Sequence, residues 1–126
     1  MKNIAVMGEC MIEFGGTEHD ALFKQGFAGD VFNTGIYIKR CIDNAANVSF
    51  LSAVGDDELS EQFISMMTSE KIENDLLYRS KTEKMGIYLI DVDDEGERSF
   101  TYWRENSAAK KLIQFIKNDN QDKLSQ

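Results

Sequence analysis

The chain has 126 residues, enough for one compact domain with its own core, and a formal charge of −8. That balance excludes a phosphate-reading surface, which needs clustered cations that occur here only in the short Lys110-Lys111 pair, so no nucleic-acid partner is expected. Cys10, Cys41 and the single His19 make no CxxC pair and fall short of a four-ligand zinc site. No metal site is expected, and the cysteines read as buried, reduced thiols of a cytoplasmic protein.

The first apolar run, Ile4 to Gly8, ends one residue before Glu9. It is too short for a signal segment or a membrane span, so no membrane partner is expected. It reads as a central strand buried on both faces. Met11 to Asp30 is glycine-punctuated and too polar for a core helix, and is expected to supply two short strands at a sheet edge. From Asp30 to Asn44 the apolar residues Val31, Phe32, Ile36, Ile38, Cys41 and Ile42 fall mostly along one helical stripe, with Asp30 as the N-cap. Val48 to Gly55 is a second continuous apolar strand. Strand, helix, strand in this order predicts a βαβ unit and a parallel sheet. A second covering helix follows, with Asp56 or Asp57 as its cap, acidic residues in its first turn and Leu59, Phe63, Met66 and Met67 at helical spacing. The methionines there read as core filler.

Lys84 to Arg104 reads as a β-hairpin turning at Gly96. Its tip carries Asp91, Asp93 and Glu95 at calcium-loop spacing, but the twelfth place, which needs a bidentate carboxylate, holds Tyr102, so the run is read as a solvated turn. A three-residue loop with Gly96 in the left-handed position sets Asp93 opposite Glu97, Tyr88 opposite Tyr102 and Gly86 opposite Arg104. Whatever the loop, alternation puts Phe100, Tyr102 and Arg104 on one face, with Thr101 and Trp103 on the other. The last residues, from Leu112, start as a helix and give way to a polar end expected to fray.

There is no GxxxxGK[ST] and no GxSxG, and His19 sits in too polar a stretch to serve as the base of a serine triad. "GFAGD", Gly26 to Asp30, opens a helix. It is either a plain flexible turn or a place where backbone approaches a ligand closely. Arg104 presents a planar fork suited to carboxylates and the tyrosines offer hydroxyls, although from the pattern alone a solvated arginine beside a tyrosine pair is the plainer reading.

Taken in order, "IAVMGECMIEF", "GFAGDVFNTGIYIKR", "FLSAVGDDELSEQF" and "GERSFTYWRENSAAKKL" resemble the N-terminal part of a ribokinase-type (PfkB family) sugar kinase, closest to the 2-keto-3-deoxygluconate kinases. The resemblance covers about residues 1–112, leaving 113–126 as a polar, divergent tail. It implies an α/β, ribokinase-like fold: a partial parallel sheet with flanking helices, plus a small β-sheet lid from approximately 11–28 and 84–104. It further implies that Gly29, Asp30 and Asn33 meet the hydroxyls of a small-molecule sugar acid, that Tyr88 and Tyr102 line the other side, and that Arg104 lies near the acid's carboxylate. Ala28 stands where the family commonly has a second glycine.

The family's catalytic base and phosphate-holding amides belong to a GAGD motif far along a longer chain. Asp30 matches the sugar-binding turn instead, so no catalytic residue is expected in this stretch. The full-length family uses ATP and Mg2+, neither of which this chain alone is expected to bind. The resemblance therefore implies an inactive substrate-binding part that associates with a second copy through the lid or an exposed sheet edge. The alternative is a non-catalytic sugar-acid binding or lid-mediated dimerisation module, and beyond that an unfolded remnant.

Overall fold

The computed structural model describes residues 1–120 and 122–125, and within them two sheets. The larger is built from β1 (Lys2–Met7), β4 (Ala46–Val54) and β5 (Leu77–Arg79), all parallel in the order β1-β4-β5. The smaller holds β2 (Met11–Gly16), β3 (Phe23–Ala28), β6 (Ile87–Val92) and β7 (Arg98–Trp103) in the order β3-β2-β6-β7. Helix α1 (Asp30–Ile42) connects the sheets, α2 (Glu58–Ser69) follows β4, and α3 (Leu112–Lys117) lies near the end. This is the partial parallel sheet with a small second sheet that the motifs imply.

β4 is buried along nearly its whole length because it is the middle strand and both its faces are covered. Val48, Phe50 and Val54 point to one face, where they meet Phe32 of α1 and Phe63 and Met67 of α2. Leu51 and Ala53 point to the other and pack with Tyr78, Ala108 and Leu112, and with the partly buried Phe115 and Ile116 of α3. The period of two thus serves two cores, which is why the strand reads as an unbroken apolar run.

Three expectations are corrected. The run Ile4 to Gly8 is not buried on both faces: β1 is an edge strand, Ala5 and Met7 are exposed, and only Ile4 and Val6 face the α1 side. Asp30 is not the N-cap of α1; it is the first helical residue and Gly29 precedes it in extended backbone. Cys10 is buried but Cys41 is exposed, because the buried stripe of α1 runs through Phe32, Gly35 and the aliphatic stem of Lys39. The Lys39 ammonium donates to the carbonyls of Asp43 (2.6 Å) and Ala46 (3.0 Å), which lets a charged residue occupy a core-facing place at the helix end. Of the two candidates Asp56 and Asp57, Asp57 is the N-cap residue of α2, and its carboxylate accepts from the Ser60 hydroxyl at 2.8 Å.

The hairpin register is the predicted one. Tyr88 pairs with Tyr102, the Asp93 amide donates to the Glu97 carbonyl at 2.9 Å, and Gly96 has φ +83°. Asp93 Oδ1 accepts from the amides of Glu95 and Glu97 at 2.9 Å each, so this carboxylate shapes the turn. Beyond Leu112 the expected helix forms as α3, and a 3-10 turn spans Lys123–Ser125; of the end expected to fray, positions 121 and 126 lie outside the described residues.

Candidate substrate site

The smaller sheet is stitched from two distant parts of the chain, β2-β3 and β6-β7, joined by the parallel pairing of Ile12 with Ile87 through Gly15 with Ile90. Its two faces divide by alternation. Ile12, Phe14, Phe27 and Ile87 turn inward onto the core, and the Phe27 ring lies 5.4 Å from that of Phe63 on α2. The other face carries a row that runs straight across the strands, Gly26, Glu13, Tyr88, Tyr102. Beside it Ala28 pairs with Met11, and Gly86, just before β6, lies against Met11 and Arg104. Tyr88 and Tyr102 have ring centroids 5.9 Å apart, and Phe100 is 6.2 and 6.3 Å from them.

Between this aromatic face and the start of α1 lies a cleft of about 470 Å³. Gly29, Asp30 and Asn33 line one wall and Tyr88, Tyr102 and Arg104 the other, so all the residues singled out from the sequence converge on one space. A neighbouring cleft of about 370 Å³, lined by Lys84, Trp103, Asn106 and Ser107, shares Tyr102 and Arg104 with it but holds none of the α1 residues.

Local chemistry explains the walls. The backbone N–H of Asn33 is committed to the Gly29 carbonyl at 2.8 Å, so Asn33 offers the cleft its side-chain carboxamide. Gly29 has no room for a side chain, since a Cβ there would lie 2.3 Å from the Glu9 carbonyl oxygen and 3.3 Å from Cys10 Cα. The chain crosses itself here because glycine is present.

Glu9 is the site residue that sequence reasoning missed. It lies in the short link between β1 and β2 and lines the cleft, and its Oε1 is 2.6 Å from Arg104 Nη2. Glu13 was missed too; it stands between Gly26 and Tyr88 in its row. Burial first, and then the Glu13 carboxylate beside it, push the Tyr88 phenol well above the ordinary tyrosine range. The only advance signal for either residue was alternation along "GECMIEF", which sets Glu9, Met11 and Glu13 at the same parity as Gly15.

A pH prediction follows from the tyrosines. Tyr78, through burial and its hydrogen bond to Asp119, is pushed up to about 12, in the same direction as Tyr88. A tyrosine whose folded pKa is raised keeps its proton longer in the native state, so its contribution is complete below the unfolded value of about 10 and is lost as pH rises past it. Stability should fall as pH climbs above about 10, and Tyr88→Phe should flatten that decline. Urea unfolding across this range, read by circular dichroism, checks it; an unchanged slope in the variant would contradict the assignment.

The pfkB family carbohydrate kinase model matches residues 1–126. Among curated proteins, the 2-dehydro-3-deoxygluconokinase of Escherichia coli K12 is 44% identical over 110 residues, covering 86% of this chain and 35% of its own length. That of Dickeya dadantii is 36% identical over 126 residues, covering 99% of this chain and 39% of its own. The chain therefore spans little more than a third of the length of these relatives. Among solved structures, the 2-dehydro-3-deoxygluconokinase of Thermotoga maritima superposes with a TM-score of 0.74 at 15% identity, over 86% of this chain and 34% of that one. The ATP-bound fructokinase of Xylella fastidiosa does so with 0.74 at 23% identity, over 85% and 32%. The fold is ribokinase-like, and the family match together with four motifs in their expected order shows that this chain belongs to the pfkB family of carbohydrate kinases.

Proposed function

We propose that this chain carries the substrate-binding part of a 2-keto-3-deoxygluconate kinase, with the cleft between the smaller sheet and α1 as the sugar-acid site. The observation that carries the reading is the convergence of Gly29, Asp30, Asn33, Tyr88, Tyr102 and Arg104 on that one cleft. Asp30 and Asn33 offer acceptors and donors for hydroxyls, the tyrosines an aromatic wall with two phenols, and Arg104 a fork for a carboxylate. An acid ligand on a protein of charge −8 needs such a local cation.

Phosphoryl transfer depends on positioning and on stabilising charge around the phosphates. In the resemblance these tasks fall to a distal GAGD segment and an ATP groove with Mg2+, and these 126 residues contain no GAGD. The chain alone is therefore proposed to bind the sugar acid without turning it over, in the cytoplasm. Calorimetry with 2-keto-3-deoxygluconate, paired with a coupled ADP-release assay, tests both halves. Heat of binding without turnover supports the reading; turnover that Arg104→Ala abolishes would refute the inactive half, and no binding would refute the site.

Association through the smaller sheet belongs to the same proposal. β7 is exposed along its whole length at a sheet edge, with Trp103 58% and Phe100 47% accessible. Edge strands with exposed aromatics template pairing. Sedimentation should give a dimer that Trp103→Lys shifts to monomer; a monomeric parent protein at high concentration would sink this.

A further inference from the structure

The Glu9–Arg104 ion pair occupies the ground an acidic ligand would need. The Glu9 side chain is 12% exposed and that of Arg104 42%. The fold closes around Glu9: a Cβ on Gly86 would come within 2.9 Å of its Oε2, so the carboxylate fills the space that a side chain at that position would take. Nη2 approaches Oε1 at 2.6 Å but off the hydrogen-bond direction. Both Glu9 oxygens and Arg104 Nε are left buried without a hydrogen bond among the described residues. A buried carboxylate served by a single ion pair is held there by its counter-charge. A guanidinium has more than one donor edge, and here the Nε edge is unused. Arg104 is also the only cation among the described residues lining the cleft, which it shares with the Asp30 carboxylate.

We infer that Glu9 is a specificity-determining residue: an internal carboxylate that occupies Arg104 in the empty cleft and competes with the carboxylate of an incoming sugar acid. The inference rests on reading the cleft as a sugar-acid site. A neutral sugar leaves the pair intact and gains nothing from Arg104. An acid must bind Arg104 beside Glu9 or displace Glu9 from Nη2, and in either arrangement two carboxylates compete for one cation. Glu9 thus holds acid affinity below what Arg104 alone would give, and the gap between acid and neutral sugars is set by that competition.

Glu9→Gln keeps the shape and removes the charge. Calorimetry should show 2-keto-3-deoxygluconate binding roughly tenfold tighter than to the parent chain, with fructose, a neutral probe, unchanged. Equal or weaker acid affinity in a folded Glu9→Gln protein, with the parent binding the acid, overturns this inference alone. Absence of acid binding by both proteins overturns the reading of the cleft and the inference with it. Should Glu9→Gln not fold, Glu9→Asp withdraws the same charge by one methylene and should tighten the acid about threefold; equal or weaker affinity there also overturns the inference.

Discussion

Arg104→Ala is expected to weaken binding of 2-keto-3-deoxygluconate about a hundredfold, the scale for losing a charge-assisted pair of hydrogen bonds from a partly desolvated site. Two effects add. The ligand loses the one cation among the described residues lining the cleft, and Glu9, stripped of its counter-charge, faces the incoming carboxylate uncompensated. Calorimetry on a variant shown by circular dichroism to be folded provides the measurement. A loss smaller than about threefold would mean that the acid group lies elsewhere. Because the pair also ties the end of β7 to the link after β1, a modest drop in thermal midpoint is expected alongside.

Phe63→Ala is expected to have the largest effect on stability, about 3–5 kcal/mol. The Phe63 ring is fully buried and lies 5.0 Å from Phe32, 5.4 Å from Phe27 and 6.1 Å from Phe50. These neighbours belong to α1, β3 and β4, so one side chain of α2 joins the larger sheet, the smaller sheet and the helix between them. Its removal leaves a cavity where three elements meet, and they have few ways to collapse into it. Against the roughly 5–15 kcal/mol typical of a whole domain, about a fifth or more of the stability should go. Urea unfolding measures it, and a loss below about 1 kcal/mol would show that the cavity is refilled.

Much of this architecture was legible in the residues, for reasons that differ by element. The hairpin register was readable because a ladder has a fixed period and Gly96 fits the left-handed place of a three-residue loop. β4 was readable because both of its faces are apolar. β1 has the same apolar look yet is half exposed, since an unbroken run does not say what covers its second face. β5 went unseen: three residues between polar stretches carry no period. The N-cap was misplaced because Asp is the commoner cap, whereas the approach of Glu9 to within 2.3 Å of a Gly29 Cβ is a tertiary demand that places glycine there. Cys41 fell on the exposed side because Lys39, by folding its ammonium onto two carbonyls, took a core-facing position that hydropathy would refuse it.

Of the cleft, the residues whose chemistry shows in their type were found: a glycine turn, two tyrosines and an arginine. Glu9, in the cleft wall, and Glu13, beside Tyr88 in the same sheet, escaped because a glutamate in a short link or on one face of a strand is ordinarily solvated. Their meaning arises only when Arg104 and Tyr88, far along the chain, are brought beside them.

The pairing of β2 with β6 carries a consequence for how the molecule assembles. The strand from Met11 to Gly16 has one neighbour close by in sequence, but its other neighbour begins only at Ile87, after the whole of α1, β4, α2 and β5. Closing so wide a loop is slow, and until it closes the β2-β3 pair stands with an open edge and an uncovered apolar side. On the ribosome the β2-β3 hairpin must wait for the β6-β7 hairpin, which makes that interval a moment of exposure to aggregation and to chaperones.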